Sequence, residues 1–275
     1  MKLVESILTK NPCYTAGRKI TVKGLMLHSV GCPQPKASVF INSWNSPSYD
    51  NACVHGFIDG NDGTVYQTLP WNHRGWHCGS GSKGSGNNTH IGVEMCEPAC
   101  IKYTSGANFT CSDTATAKAV AKRTYEAAVE LFAYLCRQYS LNPTADGVII
   151  SHREGHSRGI ASNHGDPEHL WTQLGMGYTM DTFRQAVKAA MDGGSSAETS
   201  GYTKIMGTAV ATAEQMETYI QGKNPQVPQS VLDMIPLYLS EGQAEGVRGD
   251  IAFAQSCLET GNFTFSGSAV TLEQN

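Results

Sequence analysis

A chain of 275 residues, 40% hydrophobic and 16% charged, has an ordinary globular composition with material for one large domain or two modest ones. A net charge of −4 leaves no basic footprint for nucleic acid or an anionic surface. No run approaches the ~18 apolar residues of a membrane span, so neither nucleic-acid binding nor membrane insertion is expected.

The opening segment, MKLVESILTKNPCYTAGRK, has a lysine but no sustained apolar stretch and no small-residue cleavage site. No secretory signal is read, and synthesis in a cytoplasm is expected. Residues 20–30, ITVKGLMLHSV, read as a buried strand ending near a histidine. In VHGFIDGNDGTVYQTLP two apolar runs flank a turn carrying Asn61, Asp62 and Gly63, which predicts a hairpin. GSGSKGSGNN, at 79–88, reads as a flexible loop placed where a lid or substrate rim could stand. THIGVEMCE is a short strand with a carboxylate inside it.

Asp113 can cap a long helix whose apolar stripe is Ala117, Ala121, Ala128, Leu131 and Leu135. GVIISH is a further strand ending in a histidine, and a second helix from about Asp181 stops at Gly193 and Gly194. This order predicts an α/β domain over 1–191, with helices packed on a mixed central sheet. Residues 192–204, which include the polar run DGGSSAETSG, read as a linker. A small, mostly helical domain follows over 205–275, with a capping box at Thr212 and Gln215 and further helices near 230–240 and 248–259.

The nine cysteines show no C-x-x-C pair. Cys96, Cys100 and Cys111 could form a disulfide or metal cluster, but without a signal sequence reduced and largely buried thiols are expected. Trp71, Trp76 and Trp171 could line a groove, with core packing expected for at least two of them. His55, His73, His90 and His169 read as surface or capping histidines.

Zinc hydrolases take three protein ligands from rigid, converging elements and leave a fourth position for water. His28 in LMLHSVG and His152 in GVIISHREG stand at strand ends, and Asp166 in NHGDPEHLW precedes a stiffening proline. His156 competes with His152. The apolar run leading straight into His152 favours it.

LHSVG, VHGFIDGNDGTVYQ, GWHCG, NNTHIGVEMCE, SHREG and NHGDP occur in an order that resembles the type-2 N-acetylmuramoyl-L-alanine amidase family, which includes phage endolysins and peptidoglycan recognition proteins. The resemblance runs over roughly residues 20–190. It implies a mixed sheet with helices, one Zn2+ ion, and hydrolysis of the amide between the muramic acid lactyl group and L-alanine of peptidoglycan. It implies His28, His152 and Asp166 as zinc ligands, Glu94 as general base, and His77 with neighbouring Trp76 in the substrate groove. His164 stands where such enzymes often carry lysine, and would stabilise the oxyanion. His152 and Asp166 lie farther apart than is usual in the family.

From residue 205, IMGTAVATAEQMETYIQGKNP and EGVRGDIAFAQSCLETGNFTFSG resemble the front part of the lysozyme-like glucosaminidase family, with Glu259 matching its general acid. The match covers only that front part, so an incomplete and inactive segment is expected. The expected whole is a phage or prophage endolysin, or an autolysin, made in the cytoplasm and acting on the wall after release. The alternatives are a non-catalytic peptidoglycan-binding module and a cytoplasmic muropeptide-recycling amidase.

Overall fold

The computed structural model describes residues 1–192 and 205–265. The chain divides into two compact units, Met1–Thr199 and Ser200–Asn275. The linker expected at 192–204 lies, beyond Asp192, outside the described residues, as do the helix stop expected at Gly193 and Gly194 and residues 266–275.

The first unit contains, in order, β1 (Leu3–Glu5), α1 (Pro12–Ala16), β2 (Gly24–Ser29), α2 (Ala37–Trp44), β3 (Gly56–Ile58), β4 (Val65–Gln67), β5 (His90–Met95), β6 (Ile101–Ser105), β7 (Asn108–Cys111), α3 (Thr114–Tyr139), β8 (Ile149–Ser151), α4 (His152–Ser157), α5 (Glu168–Gln173) and α6 (Met180–Met191). Six strands form one sheet in the order β1-β4-β3-β5-β2-β8. Only β3 and β4 pair antiparallel; they are the expected hairpin, with Gly63 at φ 73° in its turn. The mixed α/β sheet is therefore as the sequence predicts. The β6–β7 hairpin forms a separate two-stranded sheet.

The central strands are short and buried on both faces, as parallel strands under helices must be. Alternation then sorts their side chains. Leu25 and Leu27 of β2, Ile91, Val93 and Met95 of β5, and Ile149 of β8 pack in one core with Phe132 and Leu135 of α3 and Phe183 and Val187 of α6. Met26 of β2 and Ile150 of β8 join a second cluster with Cys78 and Ala161. By the same period of two, His28 shares a face with Met26, and Glu94 shares one with Gly92. The site residues thus face away from the α3–α6 core. Asp113 caps α3 by accepting from the Thr116 N–H at 3.0 Å, and all five residues of the predicted stripe are buried.

The nine cysteines are free thiols, and five of them, Cys53, Cys78, Cys96, Cys136 and Cys257, are buried. Trp71 and Trp171 are core residues, as expected for two of the tryptophans. In the 79–88 loop, where a lid or substrate rim could stand, Ser82, Lys83 and Gly84 are exposed, while Gly86 and Asn87 anchor it. Asn87 is fully buried there, and its Oδ1 accepts from the His77 and Cys78 N–H groups at 2.7 and 3.2 Å. Gly81 packs so closely on the Gly159 backbone that a Cβ would stand 2.4 Å from it. At these two positions glycine and a polar side chain serve close packing and a buried amide.

The second unit holds α7 (Ala213–Lys223), α8 (Gln229–Glu245) and α9 (Gly249–Glu259) around Met216, Ile220, Val231, Ile235, Phe253 and Cys257. Both halves of the Thr212–Gln215 capping box are formed. Asp250 accepts from the Val210 and Ala211 N–H groups at 3.0 and 3.1 Å and from Arg248 Nη2 at 2.7 Å. Arg248 first, then those N–H groups, hold its carboxyl well below the usual carboxylate range against the effect of burial.

A folded-state pKa below the unfolded one contributes stability that is present above the unfolded value, ~3.9, and lost as pH falls below it. Protection of α9 amides against hydrogen exchange, corrected for intrinsic rates, should therefore fall between about pH 4 and pH 2. Asp250→Asn should lower protection at neutral pH and flatten this acid-side loss. An unchanged acid profile in that variant would show that Asp250 does not anchor the unit.

Candidate active site

The parallel register assembles the site. His28 of β2 pairs with Glu94 of β5 on one side. On the other side Leu27 pairs with Ser151, and His152 is the next residue, the first of α4. Glu94, His28 and His152 thus stand side by side at the C-terminal ends of three adjacent parallel strands, where open α/β sheets bind their ligands. Ser151 ends β8 and caps α4 in a full capping box with Glu154, which fixes the position at which His152 leaves the sheet. Asp166 arrives from the loop between α4 and α5, and its Oδ2 accepts from the Ser29 N–H at 3.3 Å.

Three donor atoms converge. His28 Nδ1 lies 3.0 Å from His152 Nδ1 and 3.3 Å from Asp166 Oδ2, and His152 Nδ1 lies 3.6 Å from Asp166 Oδ1. Zinc–ligand bonds of ~2.0–2.1 Å in a tetrahedron imply ligand-to-ligand edges of about 3.3 Å, so the set fits a zinc-sized ion. Among the described residues this is the one His/Cys/Asp/Glu cluster of metal-binding geometry. His156 is not in it; its Nδ1 lies 3.3 Å from the Ala161 carbonyl oxygen instead. Glu94 lies beside the cluster, and its Oε2 is buried without a hydrogen-bond partner.

The electrostatics reflect this crowding. Burial would discharge His28, but its hydrogen bond to Asp166 and the Glu94 and Asp166 charges outweigh that and raise its pKa. Burial, then the His28 charge, pushes His152 down to about 3. Burial works against the Asp166 carboxylate, yet His28 and then His152 hold its pKa below the ordinary value. Burial pushes the Glu94 carboxyl up to about 8 despite His28.

A cavity of about 470 Å³ opens on this cluster and is lined by His28, His77, Glu94, His152, His164 and Asp166. His164 is exposed, with its Nδ1 3.1 Å from both Ser162 Oγ and His152 Nε2. His77 is buried, and both its ring nitrogens are engaged within the protein: Nδ1 lies 2.9 Å from His28 Nε2 and Nε2 lies 3.1 Å from the His90 carbonyl oxygen. Trp76 is 43% exposed, with the Arg74 guanidinium 5.2 Å from its ring centre, and is not part of the cavity wall. Glu259 belongs to the second unit, where it ends α9, is exposed, and accepts from Gln255 Nε2 at 2.9 Å.

Of the four histidines expected as surface or capping residues, His55, His73 and His90 are corrected to buried positions, and His169 lines the cavity. His55 bridges the Gly92 N–H at 3.0 Å and the His73 carbonyl at 2.8 Å, and burial pushes it down to about 4. His169 was missed together with Tyr103 and Glu97. The Tyr103 hydroxyl donates to Glu97 Oε2 at 2.7 Å and stands 2.7 Å from His169 Nε2. Burial pushes the Glu97 carboxyl up to about 7. Glu97, just after VEMC, was the only one of the three with a local signal; Tyr103 and His169 are 66 positions apart and meet only in the fold.

A family model described as N-acetylmuramoyl-L-alanine amidase matches residues 17–169. The N-acetylmuramoyl-L-alanine amidases CwlH and XlyA, both of Bacillus subtilis strain 168, are 50% and 55% identical to this chain over 38 residues. Those matches span 14% of this chain and only 15% and 12% of the relatives' own lengths. The crystal structure of Staphylococcus aureus hydrolase AmiA in complex with its ligand superposes with a TM-score of 0.50 and 20% identity, covering 70% of this chain and 83% of that one. This likeness is one of fold.

Alanine at His28, His152 or Asp166 should each weaken zinc binding by more than the ~10–100-fold typical for loss of an outer partner, whereas His156→Ala should leave it unchanged. Competition with a chromophoric chelator reads this directly. Full metal affinity in His152→Ala with loss in His156→Ala would reverse the assignment.

Proposed function

This chain belongs to the N-acetylmuramoyl-L-alanine amidase family, and from that membership we propose that it is a zinc-dependent peptidoglycan hydrolase. It cleaves the amide bond between the lactyl group of N-acetylmuramic acid and L-alanine of the stem peptide. The observation that carries this reading is the in-register row of Glu94, His28 and His152, closed by Asp166, at the floor of one cavity.

His28, His152 and Asp166 are the residues that would hold a zinc ion. Zinc bound there supplies Lewis acidity, which lowers the pKa of water to ~7 and polarises a carbonyl. Glu94 would act as general base once the positive charge of a bound cation offsets the burial that raises its carboxyl to about 8, its unpartnered Oε2 taking a proton from the attacking water. The water oxygen bonds the lactyl carbonyl carbon, the carbon–nitrogen bond breaks, and Glu94 returns its proton to the departing L-alanine nitrogen. His164 keeps its Nδ1 on Ser162 and His152, so its Nε2 is the atom that can donate to the developing oxyanion.

The glucosaminidase resemblance does not extend to activity in this proposal. Glu259 is exposed, whereas a glycosidic general acid needs an enclosing cleft and a second carboxyl or polarised water across the sugar. No described helix is long and apolar enough to cross a membrane. The proposed setting is that of an endolysin, reaching the wall after release from the cell that makes it.

Glu94→Gln should retain zinc while losing ~10²–10⁴-fold of the hydrolysis rate. Digests of purified peptidoglycan, followed by mass spectrometry, should yield peptides with new L-alanine amino termini and no new reducing ends. A Glu94→Gln protein within about threefold of the parent rate would remove Glu94 from the chemistry. New N-acetylglucosamine reducing ends that vanish in Glu259→Gln would overturn the inactive reading of the second unit.

A further inference from the structure

The His77 ring stands between His28 and a backbone carbonyl, and its two contacts are not interchangeable. Its Nε2 lies 3.1 Å from the His90 carbonyl oxygen, which can only accept, so that nitrogen carries the proton. The Nδ1 of the neutral ring is then only an acceptor. It lies 2.9 Å from His28 Nε2, which must therefore carry the His28 proton. His28 Nδ1, the atom that faces His152 and Asp166, is thereby the nitrogen left for a metal, whose binding would replace the proton that Nδ1 shares with Asp166. One proton on each ring then satisfies the whole chain from carbonyl to ligand atom.

We propose that His77 is a positioning residue, which holds His28 in the Nε2–H tautomer and in the rotation that presents Nδ1 to a zinc ion. The proposal rests on the amidase reading for His28 as a ligand. It departs from a substrate-contact role for His77, whose two polar ring atoms are both used within the protein.

The surroundings are built to hold this ring in place. A Cβ on Gly92 would stand 2.3 Å from His77 Cγ, so β5 carries its glycine where the ring lies on the strand. A Cβ on Gly75 would stand 3.2 Å from His77 Cδ2 on another side. The buried Asn87 amide fixes the backbone, accepting from the His77 N–H at 2.7 Å and donating through Nδ2 to the Gly79 carbonyl at 3.2 Å. The neighbouring residue treats the second ligand in the same way. The Cys78 carbonyl accepts from Ser162 Oγ at 3.3 Å, and that hydroxyl oxygen lies 3.1 Å from His152 Nε2. Metal-binding histidines depend on such partners, whose loss typically costs ~10–100-fold in metal affinity.

Three substitutions in the full chain separate the parts of the proposal. His77→Phe keeps the bulk and removes both polar atoms. His77→Asn places an amide oxygen near the position of Nδ1 and keeps the acceptor for His28. His77→Gln keeps a donor for the His90 carbonyl and lacks that acceptor. Zinc affinity by chelator competition should fall ~10–100-fold in His77→Phe and His77→Gln and stay within about threefold of the parent in His77→Asn. Parental affinity in His77→Phe would overturn the proposal. If that variant fails to fold, the remaining pair decides, since equal affinities or a reversed order in Asn and Gln would overturn it. His28→Ala is the control: if it retains zinc, the ligand assignment fails whatever His77 does. If it loses zinc while His77→Phe does not, only the role of His77 fails.

Discussion

The parallel pairing of β5, β2 and β8 is the constraint on which the site depends. Each of these strands exposes alternate residues to opposite faces, so a slip of one position would turn His28 or Glu94 into the α3–α6 core. The apolar residues prevent this: Leu25, Leu27, Ile91, Val93 and Ile149 are fully buried on the core face and lock the register. Burial of ordinary aliphatic side chains on one face thereby sets the spacing of imidazoles and carboxylates on the other. The register sets the spacing across the strands, while Asp166, tied to the Ser29 N–H, closes the cluster from outside the sheet.

Holding such groups together in a low-dielectric setting is costly unless each polar atom has a partner or a cation. The outer members meet this requirement with backbone. His77 reaches the His90 carbonyl, His55 reaches the His73 carbonyl and the Gly92 N–H, and His90 reaches the Gly147 carbonyl at 3.0 Å. Burial keeps His55, His77 and His90 below the ordinary histidine range, which suits rings acting as one-donor, one-acceptor spacers. The inner members, His28, His152, Asp166 and the unpartnered Glu94 Oε2, carry the remaining electrostatic demand. In the proposed function a divalent cation is the partner that this set would share.

The second unit rests on different physics. Its core is a small set of apolar residues from three helices, supplemented by local polar devices: the Thr212–Gln215 capping box and the Asp250 carboxylate shared by Arg248 and two backbone N–H groups. Such devices stabilise a short helical assembly without forming a reactive constellation. Glu259, on an exposed helix end beside Gln255, has none of the crowding that marks the first unit.

Much of this was legible in the chain because it is local. Strands appear as apolar runs, the β3–β4 hairpin as a turn between two of them, α3 and α7 through their caps, and His28, Glu94 and His152 through their places in strand segments. The order of short motifs carried the family. What the sequence could not reveal depends on residues far apart along the chain. That His152 and not His156 meets His28 across β2 and β8 depends on a contact between residues 124 positions apart. The packing of the 79–88 loop, the burial of His55, His73 and His90, and the Tyr103–Glu97–His169 cluster have no periodic signature, because polar residues look alike in sequence whether they are solvated or hydrogen-bonded inside. Local patterns determine which elements form and which face each buries. Only the tertiary structure decides which polar side chains are enclosed together, since that depends on strand order, register and loop anchoring acting at once.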